Sequence, residues 1–462
     1  MPEEKSDFVS SGRRPIWSEQ RPISSGQRPN GAVCPSGLDR RRFLIQWVGG
    51  LGWGVLGPLR QMLAENSQSG DIPSADSLAT ASEASAPPAT DPEKQDRVLV
   101  VLQMTGGNDG LNTVVPYEDD VYGRSRPTLR LHRSQVHRLS DSLGLHPEMK
   151  EAAQLFHEGR LAIVQGVGYP NSERNHPEAM RDWQTGRVPG LYVPTGWLGR
   201  AADLLLGQNP LCLPAVFVGR IEIPFTLRAQ RAVVPTLHQY PDVPIPIKSL
   251  GKLGLEASGL APENPLAEFA RRSYRQAIQM AEKLQRAEGA PVRVEYPRFG
   301  LARDLQTVAR LIRAGLGIRI FSVELGGGGL GGFDTHAHQA ANHGALLREF
   351  SASVAAWAQD LAKDHTLDRV LLITFSEFGR TVRENGRRGT DHGAAQPIFL
   401  VGGRIRPGLI GPHPNLADLE ADAPKPHTDF RRLYRTVLQE WLGLDAQAVL
   451  GTDWPPVPIL LS

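Results

Sequence analysis

The chain has 462 residues, 40% hydrophobic and 22% charged, the balance of a soluble globular protein with room for one large domain or two ordinary ones. Its net charge of +2 comes from the first 60 residues, which carry nine Lys/Arg against five Asp/Glu; the rest stands at 42 against 44, so charge gives no case for a nucleic-acid partner. Of the two cysteines, Cys34 precedes a targeting-type segment and Cys212 lies in the body, which excludes a zinc ribbon and, once a leader is removed, any intramolecular disulfide.

Residues 1–38 are rich in Pro, Ser, Gly and Arg and predict disorder. Asp39-Arg40-Arg41-Arg42-Phe43-Leu44 then opens a short apolar stretch to Leu59, the layout of an export signal. The paired arginines followed by x-Phe-Leu resemble the twin-arginine signal, which implies the twin-arginine export machinery as a partner and a periplasmic or secreted destination. The stretch is too short and too rich in Gly and Pro for a stable transmembrane segment, although an uncleaved signal would still anchor the chain. Residues 61–96 read as a Ser/Ala/Pro-rich linker, and a single α/β domain is expected over residues 97–462.

Arg97–Met104 has the continuous apolar run of a strand buried on both faces. It ends in Thr105-Gly106-Gly107-Asn108-Asp109-Gly110, where glycines permit a sharp turn and two polar side chains come next; a plain structural turn explains the same residues. A helix is expected over His146–Gly159 and a strand over Leu161–Gly166. The loop holding Ser172, Asn175 and His176 leads into a further helix, and His176 stands at its entry, where main-chain N–H groups favour anions. From Val188 to Asn264 the Pro/Gly-rich sequence, with short apolar runs such as Ala215–Gly219 and Val243–Ile247, predicts irregular structure around one more core strand. Amphipathic helices are expected at 265–288 and Leu301–Ala314, and a strand at Ile318–Leu325.

That strand leads through Gly326–Gly332 to Asp334, His336 and His338, with His343 soon after; three histidines in eight residues stand out among 13 in the chain. Residues 342–362 predict a helix and Val370–Phe375 another doubly buried strand, which ends in Ser376, Glu377 and Arg380. A Gly/Arg-rich loop then closes on Asp391–His392. Ile398–Val401 reads as a strand, His413 and His427 fall in Pro-rich loops, and Thr428–Leu442 predicts the last helix. Alternating strands and helices predict an α/β fold with a mostly parallel sheet, and ligand-type side chains just past strand ends predict a site at its carboxyl edge.

Asp109, Asp334, His336, His338, Asp391 and His392 offer carboxylate oxygen and imidazole nitrogen together, a mixture suited to transition ions; one or two divalent metals (Zn, Mn, Mg or Ca) are expected. Glu377 fits either a further ligand or an acceptor orienting a ligating histidine. Arg380 is expected to meet anionic substrate oxygens, whereas Arg387 and Arg388 read as solvated loop charges. No phosphate-binding P-loop and no Gly-x-Ser-x-Gly elbow is present, and the glycines of 326–332 do not lead directly into a helix as a dinucleotide loop requires.

The segments MTGGNDGLNTVVP, GVGYPNSERNHPEAMRDWQTG, GGFDTHAHQ and SEFGRTVRENGRRGTDHG, with the twin-arginine leader, resemble a bacterial family of exported proteins. That family is catalogued as domain of unknown function fifteen-zero-one and grouped with the alkaline phosphatase and sulfatase superfamily. The resemblance implies an alkaline phosphatase-like three-layer sandwich with metal at the carboxyl ends of its strands. It implies hydrolysis of phosphate or sulfate esters, small-molecule or polysaccharide, or else a catalytically inactive surface protein that binds anionic polymers or a protein partner. It places an acid at Asp109 (less well Asn108), an Asp-x-x-x-His pair at Asp334 and His338 with His336 emphasised in the family's own pattern, an Asp-His pair at Asp391–His392, and a late histidine at His427. It also expects a serine nucleophile where Asn175 stands, ahead of His176, with Ser172 three residues upstream. That departure favours direct attack by water, or binding without turnover.

Overall fold

The computed structural model describes residues 92–187, 191–210, 212–237, 287, 290–327 and 332–461. The export-type segment, most of the linker, the 265–288 helix apart from Ala287, and the Val243–Ile247 run lie outside the described residues.

The central sheet is built on β1 (Val98–Met104), all seven of whose residues are buried. Its side chains alternate between two cores, as the period of two in a strand requires. Val98, Val100, Leu102 and Met104 face α2 (Lys150–His157), α5 (Gly300–Arg313) and α6 (Gln339–Ala362). Leu99 and Val101 face the opposite core, built from α3 (His176–Thr185), α4 (Trp197–Gln208) and α7 (Phe430–Thr436) with the π-helical turn that continues it. The short α1 (Asp120–Ser125) precedes them, and single helical turns stand at Pro92–Gln95 and Gly110–Thr113.

The other sheet strands are β2 (Leu161–Gly168), β3 (Ala215–Val218), β4 (Thr236–Leu237), β5 (Ile320–Leu325), β6 (Val370–Phe375), β9 (Gln396–Gly402), β10 (Gly408–Ile410) and β11 (Thr428–Asp429). Their order is β10-β2-β9-β6-β1-β5-β3-β4, with β11 also paired to β2. β1 runs parallel to β5 and β6, while β9 is antiparallel to both of its neighbours, so β9 alone opposes the rest. A mostly parallel mixed sheet covered by helices on both faces is the expected three-layer α/β arrangement.

Three expectations need correction. The 188–264 stretch contains a regular helix, α4, whose Trp197, Leu198, Ala201, Ala202 and Leu205 are buried. Gly and Pro on either side hid it, since they mark the ends of the helix rather than its interior. The Gly/Arg-rich loop after β6 is largely a two-stranded ribbon, β7 (Arg380–Glu384) against β8 (Thr390–His392), with His392 opposite Arg380. The last helix loses its regular pitch after Thr436 and passes into the π-helical turn Val437–Trp441.

Candidate metal centre

Four connections converge at the carboxyl edge of the sheet, the one after β5 bringing Asp334 and His336. The turn after β1 is tight because Gly107 adopts φ +76°, and a Cβ there would lie 2.4 Å from the Phe378 ring. The segment after β6 brings in Glu377 and Arg380, both buried. Beyond β2, the chain enters α3 with Asn175 as N-cap, its Oδ1 accepting from the Glu178 N–H at 3.2 Å, Pro177 in the first turn, and Gly186 closing the helix in the left-handed region. Trp183 of α3 stacks on Phe430 with ring centroids 4.2 Å apart, which anchors the helix and fixes His176 at its first residue.

Around the Asp334 carboxylate stand three imidazoles. Asp334 Oδ1 lies 3.4 Å from His176 Nε2, 3.0 Å from His336 Nε2 and 3.2 Å from His392 Nε2. The Nε2 atoms of His336 and His392 are 2.9 Å apart. Every one of the three rings uses its other nitrogen on an acceptor outside the cluster. His176 Nδ1 donates to Glu377 Oε1 at 2.8 Å, His336 Nδ1 to Asp391 Oδ1 at 3.0 Å, and His392 Nδ1 to the Arg174 carbonyl at 2.6 Å. In the neutral rings this leaves each Nε2 as a lone pair directed inward. His176 Nε2 is buried and has no hydrogen-bond partner. Phe378 packs against the His176 and His392 rings, giving the cluster one apolar wall.

The residues beneath hold the acceptors still. Arg380, fully buried, donates to the carbonyls of Gly106, Gly107, Phe333 and Thr390 and to Asp334 Oδ1 at 2.8 Å. Glu377 also accepts from the Gly106 N–H at 2.9 Å, and Asn385 Nδ2 donates to Asp391 Oδ1 and to the His336 carbonyl. Burial pushes the Asp334 carboxyl up, but the Arg380 hydrogen bond and charge, with His392 and His336, outweigh it and hold it below the usual carboxylate range. The Glu377 hydrogen bond holds the His176 imidazole more basic than usual against its burial. Burial holds the His392 imidazole below its usual value, against the Arg174 carbonyl and Asp334, which raise it.

His176, Asp334 and His392 form a group able to hold a metal ion, the one group of its kind found among the described residues. The donor chemistry fits. Atoms bound at about 2.0–2.2 Å to a common ion stand about 3.0–3.5 Å apart, the range of the contacts above. An outer carboxylate or carbonyl on the far nitrogen of each ring is the usual setting of a metal-ligating histidine.

Several expected site residues lie elsewhere. Asp109 is buried in a bidentate ion pair with Arg126, at 2.6 and 2.9 Å, accepts from Gln339, and caps the Gly110–Thr113 turn. His338 is exposed at the entry to α6, with φ +47°. His427 bonds the Pro412 carbonyl and Thr428 Oγ1. Asp391 stands outside the cluster, behind His336. Arg380 was expected to meet substrate, but each of its three guanidinium nitrogens donates to a protein oxygen, and it orients Asp334 instead. Ser172 is half-buried in the loop before α3, and the Asn175 side chain is the helix cap. The Arg174 carbonyl and Asn385 were not anticipated. A main-chain acceptor leaves no mark in a sequence, and Asn385-Gly386 reads simply as a turn.

Residues 272–453 match the model of the family described as protein of unknown function (DUF1501). No curated protein matches the chain. Among solved structures it is similar to the lipoteichoic acid synthase LtaP from Listeria monocytogenes (11% identity, 76% of this chain and 72% of that one, TM-score 0.36). It is also similar to the C-terminal periplasmic domain of EcEptC from Escherichia coli (12%, 80% and 92%, TM-score 0.35). A third similar structure is a protein in the alkaline phosphatase superfamily from Vibrio parahaemolyticus (9%, 78% and 70%, TM-score 0.33).

Proposed function

We propose that this chain is an exported, metal-dependent hydrolase of phosphate or sulfate esters, working from a single divalent ion held by His176, Asp334, His336 and His392. The observation that carries this reading is the inward convergence of three imidazole Nε2 atoms on one carboxylate oxygen, with all three Nδ1 atoms engaged elsewhere. With the rings neutral and no cation between them, that arrangement sets lone pair against lone pair. Three nitrogens and one oxygen suit Zn, Mn or Fe better than Mg or Ca, which prefer shells of oxygen.

An ion bound there supplies Lewis-acid polarisation of an ester oxygen and acidifies water. The protein's own part is orientation. Glu377, Asp391 and the Arg174 carbonyl fix the three rings, and Arg380 aims the Asp334 carboxylate while keeping it ionised. Asn175 has no nucleophilic atom, and its side chain caps α3, which favours attack by water over a covalent intermediate. The same residue supports a second reading, in which the centre binds an anionic polymer or protein partner without turnover.

The resemblance of the four sequence segments to a family grouped with phosphatases and sulfatases supports the ester chemistry. The Arg40-Arg41-x-Phe43-Leu44 pattern supports export, and no helix among the described residues is long and apolar enough to cross a membrane. The test is metal analysis and turnover on a panel of phosphate and sulfate esters, for the wild-type chain and His392→Ala. Bound metal and turnover that both disappear in H392A bear the proposal out. Bound metal without turnover on any ester favours the binding reading, and a chain that takes up no metal overturns both. Fractionation of cells expressing the chain with Arg40→Lys and Arg41→Lys tests the route; unchanged export would remove the twin-arginine assignment.

A further inference from the structure

The outer partners of His176 and His336 are side chains, but that of His392 is a main-chain carbonyl in the connection from β2 to α3. A loop carbonyl is a poor fixture unless something holds the loop. Here Arg174 is held at both ends. Its carbonyl accepts from His392 Nδ1 at 2.6 Å, while its guanidinium donates to the carbonyls of Glu420 at 2.7 Å and Ala421 at 2.9 Å.

Those two carbonyls belong to a small hairpin, Leu419–Glu420 paired with Ala423–Pro424, whose two-residue turn is Ala421-Asp422. Both turn residues have positive φ, 45° and 62°, which suits a tight two-residue hairpin but is unfavourable for side chains other than glycine. Residues kept in such a conformation are held by their surroundings. The other side of the turn is bolted to the ribbon that carries His392: the Val382 N–H donates to the Asp422 carbonyl at 2.8 Å, and the Arg383 N–H to Asp422 Oδ2 at 3.3 Å. The turn therefore spans the two segments that deliver ligands to the centre, the loop before His176 and the strand pair ending in His392.

Resting on the metal reading above, we infer that Arg174 is a positioning residue of the metal centre. It acts through its own backbone carbonyl to fix the His392 tautomer, and the 421–422 turn is the brace that sets the spacing between His176 and His392. The guanidinium makes no contact with the cluster; its effect reaches the ion through the loop and His392. Removing the side chain deletes no ligand, yet frees the carbonyl that keeps Nε2 of His392 unprotonated and inward.

The experiment uses the full chain, stripped with a chelator and titrated with zinc against a chromophoric competitor, as wild type, Arg174→Ala, Arg174→Lys and His392→Ala. Loss of an outer partner of this kind lowers metal affinity about 10- to 100-fold. R174A is expected to show that loss with the unfolding midpoint of the metal-free protein unchanged. R174K is expected to fall between R174A and wild type, because an ammonium can still meet a carbonyl but matches the pair less well than a planar fork. Nitrogen-15 spectra of the metal-free protein should show His392 passing from one tautomer to a mixture in R174A. Zinc affinity in both Arg174 variants within twofold of wild type, or an unchanged His392 tautomer, overturns the inference. A wild type that binds no zinc, or zinc affinity unaffected by H392A, overturns the metal reading itself and is distinguishable from the first result.

Discussion

The Nε2 atoms of His336 and His392 stand 2.9 Å apart, although each ring already donates its Nδ1 proton outward, to Asp391 and to the Arg174 carbonyl. Two neutral rings so arranged oppose lone pairs. A proton shared between them or a cation beside them relieves the repulsion, and the approach of His176 Nε2 and Asp334 Oδ1 to the same point favours the cation. The two explanations differ in what stabilises the fold. A ligand that binds only the native chain at 100 times its Kd adds about 2.7 kcal/mol. The melting temperature of wild type should therefore rise with added divalent metal and fall with chelator, and that dependence should be missing in His336→Ala and His392→Ala. Calorimetric scans with and without chelator check it; identical scans for wild type point to the proton.

Asp109 tests where the centre ends. With Arg126 it forms a fully buried bidentate pair. Opening such a pair from one side leaves an uncompensated buried charge and costs about 3–5 kcal/mol. Asp109→Ala should thus lower stability by that order in denaturant unfolding while metal still binds to the fraction that folds. A D109A chain of unchanged stability that takes up no metal would place Asp109 among the ligands after all.

The contrast between Asp109 and Asp334 shows what the sequence could convey. Doubly buried strands, their parallel arrangement and the carboxyl-edge location were all legible, because continuous apolar runs such as Val98–Leu102 and Val370–Phe375 admit few other fates. The clustering of Asp334, His336 and His392 near strand ends was legible for the same reason. What separated an ion-pairing aspartate from one amid histidines was the side chain opposite, and Arg126, 17 residues on in a loop, carries no periodic signal. Arg380 failed similarly. Its residue type fits an anion clamp, but the carbonyls that absorb its protons are set by the β1 turn and the β7–β8 ribbon, neither of which is encoded in residue type.

Stability should fall in mild acid for a reason unrelated to the metal. Burial pushes His343 down to about 3 and His146 to about 4, while both titrate near 6.5 when unfolded. His343 sits behind β1, its Nε2 bonded to Asn108 Oδ1 at 3.0 Å, and His146 meets it edge-on. With folded values depressed, the unfolded chain binds more protons between the two limits. The stability is therefore complete above pH 6.5 and is lost as pH falls, by up to about 1.4 kcal/mol per unit for each group. Unfolding midpoints measured in chelator from pH 7 to pH 5 should show this slope, and His343→Asn should reduce it. A flat profile over that range would mean that neither ring is held neutral.

The number of donors predicts which ion works. Four protein ligands complete the tetrahedral shell of zinc, as in closed structural sites, whereas catalytic zinc sites keep one position open. Ions that accept larger shells of nitrogen and oxygen, Mn or Fe(II), retain room for an ester oxygen beside His176, His336, His392 and Asp334. Zinc should then bind well yet give the slower enzyme, and replacing a ligand at the rim should open the zinc site. His176 is the natural choice, since its Nε2 lies farthest from Asp334 Oδ1 at 3.4 Å. The check is turnover of the metal-stripped chain reloaded with each ion in turn, paired with the visible spectrum of the Co(II) form, whose intensity distinguishes four-coordinate from larger shells. An intense four-coordinate Co(II) spectrum in wild type that weakens in His176→Ala would place all four residues on the ion. If the zinc form is fastest in wild type, one of the four is not a ligand, and His176, held by Glu377 at the mouth of α3, becomes the group left to exchange a proton with substrate.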